Sequence, residues 1–271
     1  MTAIAEARTA GRQDPSSTAP LPSMLAAQAR AQVRAFWRLP SASATALLMP
    51  IMLFGFFVLP HAQEPWQGSV SVGAYMLASI GAYAAGSVMV FNFGVTVALD
   101  RGQKADLLMR AAPLPGSVYL VARLVSALLF ATLSVAALFA VAMLAGGIRL
   151  EPATWLDLGL RLLAGSIPLL ALGFAIAYLA GPGAAPAVAN MAYIGMAFAS
   201  GMLVPMDQMP DVLRGIAPLL PTYHFAQLAW DALGVADEPA VVSGGWLLGW
   251  TVVLLALAAL AYRREEHRRA A

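Results

Sequence analysis

Six stretches of this sequence are apolar, almost free of charge and about as long as a bilayer is thick. No other feature limits its fold so severely. They run over about 42–60, 74–98, 117–145, 156–180, 186–204 and 241–262. A helix that crosses the hydrocarbon core needs roughly 20 mostly apolar residues. In lipid every backbone polar group must be satisfied internally, which leaves helices or a closed barrel. The runs are too long and too continuous for the alternating strands of a barrel. The expectation is an all-α polytopic membrane protein with six transmembrane helices. Composition agrees: 60% of residues are hydrophobic and 11% charged, where soluble domains carry about 25% charged residues.

The cations set an orientation, because Arg and Lys accumulate on the cytoplasmic side of short loops. With the N-terminus inside, the cytoplasmic segments hold Arg8, Arg12, Arg30, Arg34, Arg38, Arg101, Lys104, Arg110 and the arginines of a basic tail, 263–271. Arg123 lies about two turns into the third span, near the same side. The outside keeps Arg149, Arg161 and Arg214 among a larger number of acids. Both termini are therefore expected in the cytoplasm of a bacterial cell, with the 41–262 domain in its plasma membrane. Residues 1–21 are rich in Ala, Ser, Thr and Pro and lack an apolar run. They read as a disordered tail rather than a signal peptide.

Three elements fall outside the spans. In 22–40, Arg30, Arg34 and Arg38 repeat every four residues on one helical face, and Leu25, Ala29, Val33, Phe36 and Trp37 supply an apolar side. Such a helix lies in the interface of an anionic leaflet. In "LDRGQKADLLMRAAPLP", residues 99–115, Asp106 and Arg110 can pair at i,i+4. Leu107, Leu108 and Ala111 make a small apolar patch, and Pro113 and Pro115 stop the helix. The result is a short charged helix of about 100–112 on the inner face. Before the last span, Pro205, Pro210, Pro218 and Pro221 break the chain into short pieces. These read as a re-entrant pair that caps the outer side. After them His224, Gln227 and Asp231 form one polar face beside Tyr223, which suggests an outer gate or dimer contact, or else an ordinary interfacial helix. Within the spans Asn92 and Asn190 stand out, with Phe93 and Met196 as possible pathway neighbours. Each Asn suits a helix–helix hydrogen bond or a cavity.

Several chemistries are excluded. The single lysine, Lys104, is preceded by Gln103 and followed by Ala105. A phosphate-binding loop needs Gly-Lys-Ser/Thr, so this chain holds no such loop. Cysteine is absent, which removes disulfides and thiolate metal sites. No HExxH, GxSxG or mid-span carboxylate pair occurs, and no metal site or nucleic-acid partner is expected.

The order of these elements resembles the membrane subunit of ABC-2 type transporters, the permease family that includes daunorubicin-type multidrug exporters and lipid and polysaccharide exporters. The likeness rests on the helix before span one, on "LDRGQKADLLMRAAPLP" after span two, and on "SGMLVPMDQMPDVLRGIAPLLPTYHFAQLAWDAL" before span six. The resemblance implies that Asp100, Arg101, Lys104, Asp106, Leu107, Leu108 and Arg110 form a coupling helix. That helix would dock on a separate ABC ATPase subunit, present in two copies. Arg30, Arg34 and Arg38 would belong to a connecting helix beside it. The family often has Glu where Asp100 stands. The resemblance further implies a dimer of permease chains, homomeric or heteromeric, in contact with membrane lipid. It also implies ATP and magnesium in the partner rather than a cofactor here, and efflux of a drug, lipid or glycan. Two alternatives stay open at this level: an ion-coupled secondary carrier and a polytopic membrane enzyme.

Overall fold

A computed structural model describes residues 48–102 and 116–270, together with Arg30 and Arg34, which are helical and exposed. The expectations for the tail 1–21, for Arg38 and most of 22–40, and for Lys104, Asp106, Leu107, Leu108 and Arg110 lie outside the described residues. The side chains of Asn92 and Phe93 do as well.

The first helix, α1 (Leu48–His61), changes its winding towards its end. Its last turns pass through a π segment, Phe54–Val58, and a three-residue turn that carries Pro60. A short hairpin follows, β1 (Pro65–Gln67) paired antiparallel with β2 (Val70–Ser71). Ser71 then caps α2 (Val72–Gly102), its hydroxyl accepting from the Ala74 N–H at 3.2 Å. Such a cap satisfies one of the donors a helix start leaves open. Next come α3 (Gly116–Leu144), α4 (Pro152–Leu179) and α5 (Gly181–Ala199). The chain closes with α6 (Asp211–Ile216), α7 (Pro221–Asp231) and α8 (Ala240–Ala270).

The expectation of six spans is corrected. Among the described residues four helices are long and apolar enough to cross a membrane: Val72–Gly102, Val121–Leu144, Pro152–Leu179 and Ala240–Arg264. The first expected span appears only as the shorter α1. The fifth, α5, is long enough but too polar, because Gly181, Pro182, Gly183, Pro186 and Asn190 dilute its alanines. The re-entrant pair is corrected too. Between α5 and α7 lie a three-residue turn (Met206–Gln208), the six-residue α6 and another three-residue turn (Ala217–Leu219). The prolines restart the backbone every few residues. At 1.5 Å per residue, α6 is only about 9 Å long.

Helix α2 is the centre of the bundle, with 69% of its apolar window buried, against 17% for α8 at the rim. A helix apolar on all sides belongs in the interior. Its second half opens with a π segment, Val88–Val95, packed on α3, α4 and α5. There α2 and α4 meet at two glycines. A Cβ on Gly94 would lie 2.3 Å from the Gly173 Cα and carbonyl oxygen. Small residues allow this backbone approach in membrane bundles. One layer away, the Tyr193 hydroxyl on α5 donates to the Tyr83 carbonyl at 2.7 Å, and the two rings stack at 5.4 Å. On the other flank of α4, Ala171 and Ala175 pack against Leu254 and Ala258 of α8.

Candidate functional site

The helices alternate in direction, so chemistry gathers at two ends. At one end α2 finishes with Asp100 and Arg101, α3 begins, α4 finishes and α8 delivers Tyr262. Arg123 of α3 is buried and ion-paired with Asp100 of α2. Its Nη1 also donates to Thr96 Oγ1 at 2.8 Å. Thr96 and Asp100 are one helical turn apart, so one guanidinium grips two successive turns of α2. Arg101 points elsewhere. Its Nη1 donates to the Ala177 carbonyl near the end of α4 at 2.5 Å, and the guanidinium sits 4.6 Å from the Tyr178 ring centroid. Tyr178 in turn meets Tyr262 of α8 edge-on at 5.6 Å. The end of α2 is thus fastened to α3, α4 and, through a tyrosine pair, α8.

Arg101, expected among the coupling residues, is engaged within its own chain. Arg123 was missing from the candidate residues. The signal was present: a cation two turns inside an apolar helix requires a partner, and Asp100 is the acid at the same level.

At the opposite end the polar face of α7 finds partners one by one. His224 is buried, with Nδ1 2.6 Å from Glu238 Oε1 and Nε2 2.9 Å from the Pro218 carbonyl. A carbonyl only accepts, so in the Nε2 contact the ring donates. The ring stacks on Trp246 at 5.0 Å. The Gln227 amide bridges the Asp237 carboxylate and backbone N–H at 3.2 and 2.8 Å. Asp231 pairs with Arg161 of α4 at 2.5 Å. The face therefore anchors the loop at 234–239 and α4. Tyr223 is buried beside it, and desolvation, with Glu238 and Asp237 adding, pushes its hydroxyl pKa up.

The prolines have local tasks. Pro205 and Pro210 immediately precede short helices, Pro218 supplies the carbonyl that His224 bonds, and Pro221 opens α7. Proline at a first helical position gives up no hydrogen bond. Of the pathway residues, Asn190 is exposed on α5, and Met196 is half-buried, its carbonyl accepting from Thr222 Oγ1 at 3.0 Å. No group of three or more His, Asp or Glu among the described residues could hold a metal ion.

A bundle of apolar helices with its charges sorted to two ends is a multi-pass membrane protein. Comparison with known proteins gives the class a family. The sequence profile of ABC-2 type transporters matches residues 25–232, and the chain belongs to that family. It is a membrane permease subunit of an ABC-type transport system. It is also similar to a Bacillus subtilis (strain 168) protein that carries the provisional name transport permease YvfS. The two are 27% identical over 227 residues, which cover 82% of this chain and 89% of that one.

Proposed function

We propose that this chain is half of an ATP-driven exporter in a bacterial plasma membrane. It forms the path for an amphipathic or lipid-like substrate and is driven by a separate ATPase that docks on residues 100–112. The observation that carries the reading is the fastening of the end of α2. Asp100 and Arg101, which open the charged stretch, are tied to α3 and α4. A push on the stretch is thereby passed to those helices together. The cation-rich Asp100 end faces the cytoplasm, with both termini on that side.

A second permease chain completes the path. Asn190 and Met191 support this, both exposed on α5 in the single chain. An exposed amide on a helix built into an apolar bundle is costly in lipid and calls for a partner or water.

Docking is tested on Leu108, in the apolar patch of the charged stretch. Burying one leucine is worth roughly 1.5–3 kcal/mol, whereas exposed ion pairs contribute about 0–1 kcal/mol. Leu108→Asp is therefore expected to insert normally, lose the co-purifying ATPase and stop transport. A pull-down of wild type, Leu108→Asp and Lys104→Glu at low and high salt reads this. Lys104→Glu weakens association mainly at low salt, because salt screens exposed charge. Retention of the ATPase and of transport by Leu108→Asp would reduce the stretch to an ordinary loop.

A further inference from the structure

At the end opposite Asp100, both ring nitrogens of a buried imidazole face acceptors. The His224 side chain is 1% exposed. Its Nε2 lies 2.9 Å from the Pro218 carbonyl and its Nδ1 2.6 Å from Glu238 Oε1. The same carboxylate oxygen accepts from the Ser243 hydroxyl at 2.5 Å. A neutral imidazole has one N–H, and an ionised carboxylate has none to give. Donation to Pro218 therefore leaves the Nδ1 lone pair against a carboxylate lone pair. Both contacts form together only when one more proton is present, on the ring or on Glu238. Glu238 is 20% exposed, so that proton can exchange with the surrounding water.

These contacts join separate pieces of chain. Pro218 lies in the turn before α7, Glu238 in the loop at 234–239 and Ser243 in the first turn of α8. Trp246 of α8 stacks on the imidazole at 5.0 Å. The neighbouring charges are engaged elsewhere. Asp237 holds the Gln227 amide, Arg161 pairs with Asp157 and Asp231, and Arg214 pairs with Asp211. Tyr223 meets the ring edge-on at 5.3 Å, and with its hydroxyl pKa pushed up it stays neutral where histidine titrates.

We propose that His224 and Glu238 form a proton-dependent latch that closes this end of the molecule. The closed latch holds a proton that the open one releases. Closure is therefore favoured at low pH and is lost as the pH rises through the range where histidine changes charge, about pH 5–8. Opening frees residues 237–243 from α7. The inference goes beyond the transport reading and does not need it, since the latch is followed without any ATPase.

The test is amide hydrogen exchange over 237–243 in the purified full chain in nanodiscs, from about pH 5 to about pH 9, corrected for the pH dependence of exchange in an unstructured peptide. In wild type, protection is expected to fall about ten-fold or more across that range, as a charge-assisted hydrogen bond is lost. Glu238→Gln supplies a neutral amide that donates to Nδ1 without an added proton, while its carbonyl still accepts from Ser243. Its protection persists and its pH profile is flat. His61→Gln, which removes an exposed imidazole paired with Glu64, keeps the wild-type profile. The wild-type titration depends on no variant folding, and a flat or rising profile there overturns the proposal. An unchanged pH dependence in Glu238→Gln overturns it as well.

Discussion

A guanidinium inside an apolar helix has few ways to be tolerated, and Arg123 shows which one this chain uses. Its side chain is 6% exposed, and its charge is matched by Asp100 rather than by water. Removing one partner of such a pair leaves the other buried and uncompensated, which costs far more than the pair contributes. Asp100→Ala is expected to destabilise by roughly 1–3 kcal/mol, visible as a lowered Tm in detergent. Asp211→Ala, which breaks an exposed pair with Arg214, should leave the Tm unchanged. Equal effects of the two variants would show that the Asp100 contact bears no weight. Arg101 carries a related lesson. From sequence alone a basic residue beside Gly102 reads as surface charge. Its engagement with Ala177 and Tyr178 depends on α4 ending opposite it, and nothing in the local sequence states that.

Among the elements, α2 and α4 decide how tightly the bundle closes. The Gly94–Gly173 approach brings backbone against backbone, so an added side chain meets atoms that cannot turn aside. Overpacking of this kind costs about 1–3 kcal/mol. Gly94→Val should therefore lower the Tm and abolish transport, whereas Gly249→Ala on α8, with open space around it, should change neither. Normal stability and transport in Gly94→Val would show that the crossing is looser than described. The elements also show what was legible. The spans 117–145, 156–180 and 241–262 appear within a few residues of their expected bounds, because uninterrupted apolar runs leave little choice. The fifth stretch was misjudged at its start. Pro186 looked like the first residue, but Pro182 takes the first-turn position and Pro186 sits within the helix. Its glycines, prolines and Asn190 then place it below the apolarity of a crossing helix. The re-entrant pair failed for a related reason: the prolines marked breaks correctly, but the pieces between them are too short to go down and return.

At the scale of the whole molecule the charges are sorted, and that sorting was the most readable property of the sequence. The polar face of α7 was also visible as His224, Gln227 and Asp231. Its partners, Glu238, Asp237 and Arg161, come from a loop and a distant helix that only the fold brings together. The central claim is that the chain is moved by an engine it does not contain. The single Lys104, without the glycine and hydroxyl neighbours of a phosphate loop, is the basis for it. The direct measurement is ATP hydrolysis by the purified chain in liposomes, alone and with a co-purified ATPase. Alone, wild type should hydrolyse ATP no faster than buffer. With the ATPase bound, hydrolysis should appear, and Leu108→Asp should remove both the partner and the activity. Robust hydrolysis by the chain alone, in a preparation free of contaminating ATPase, would contradict the account.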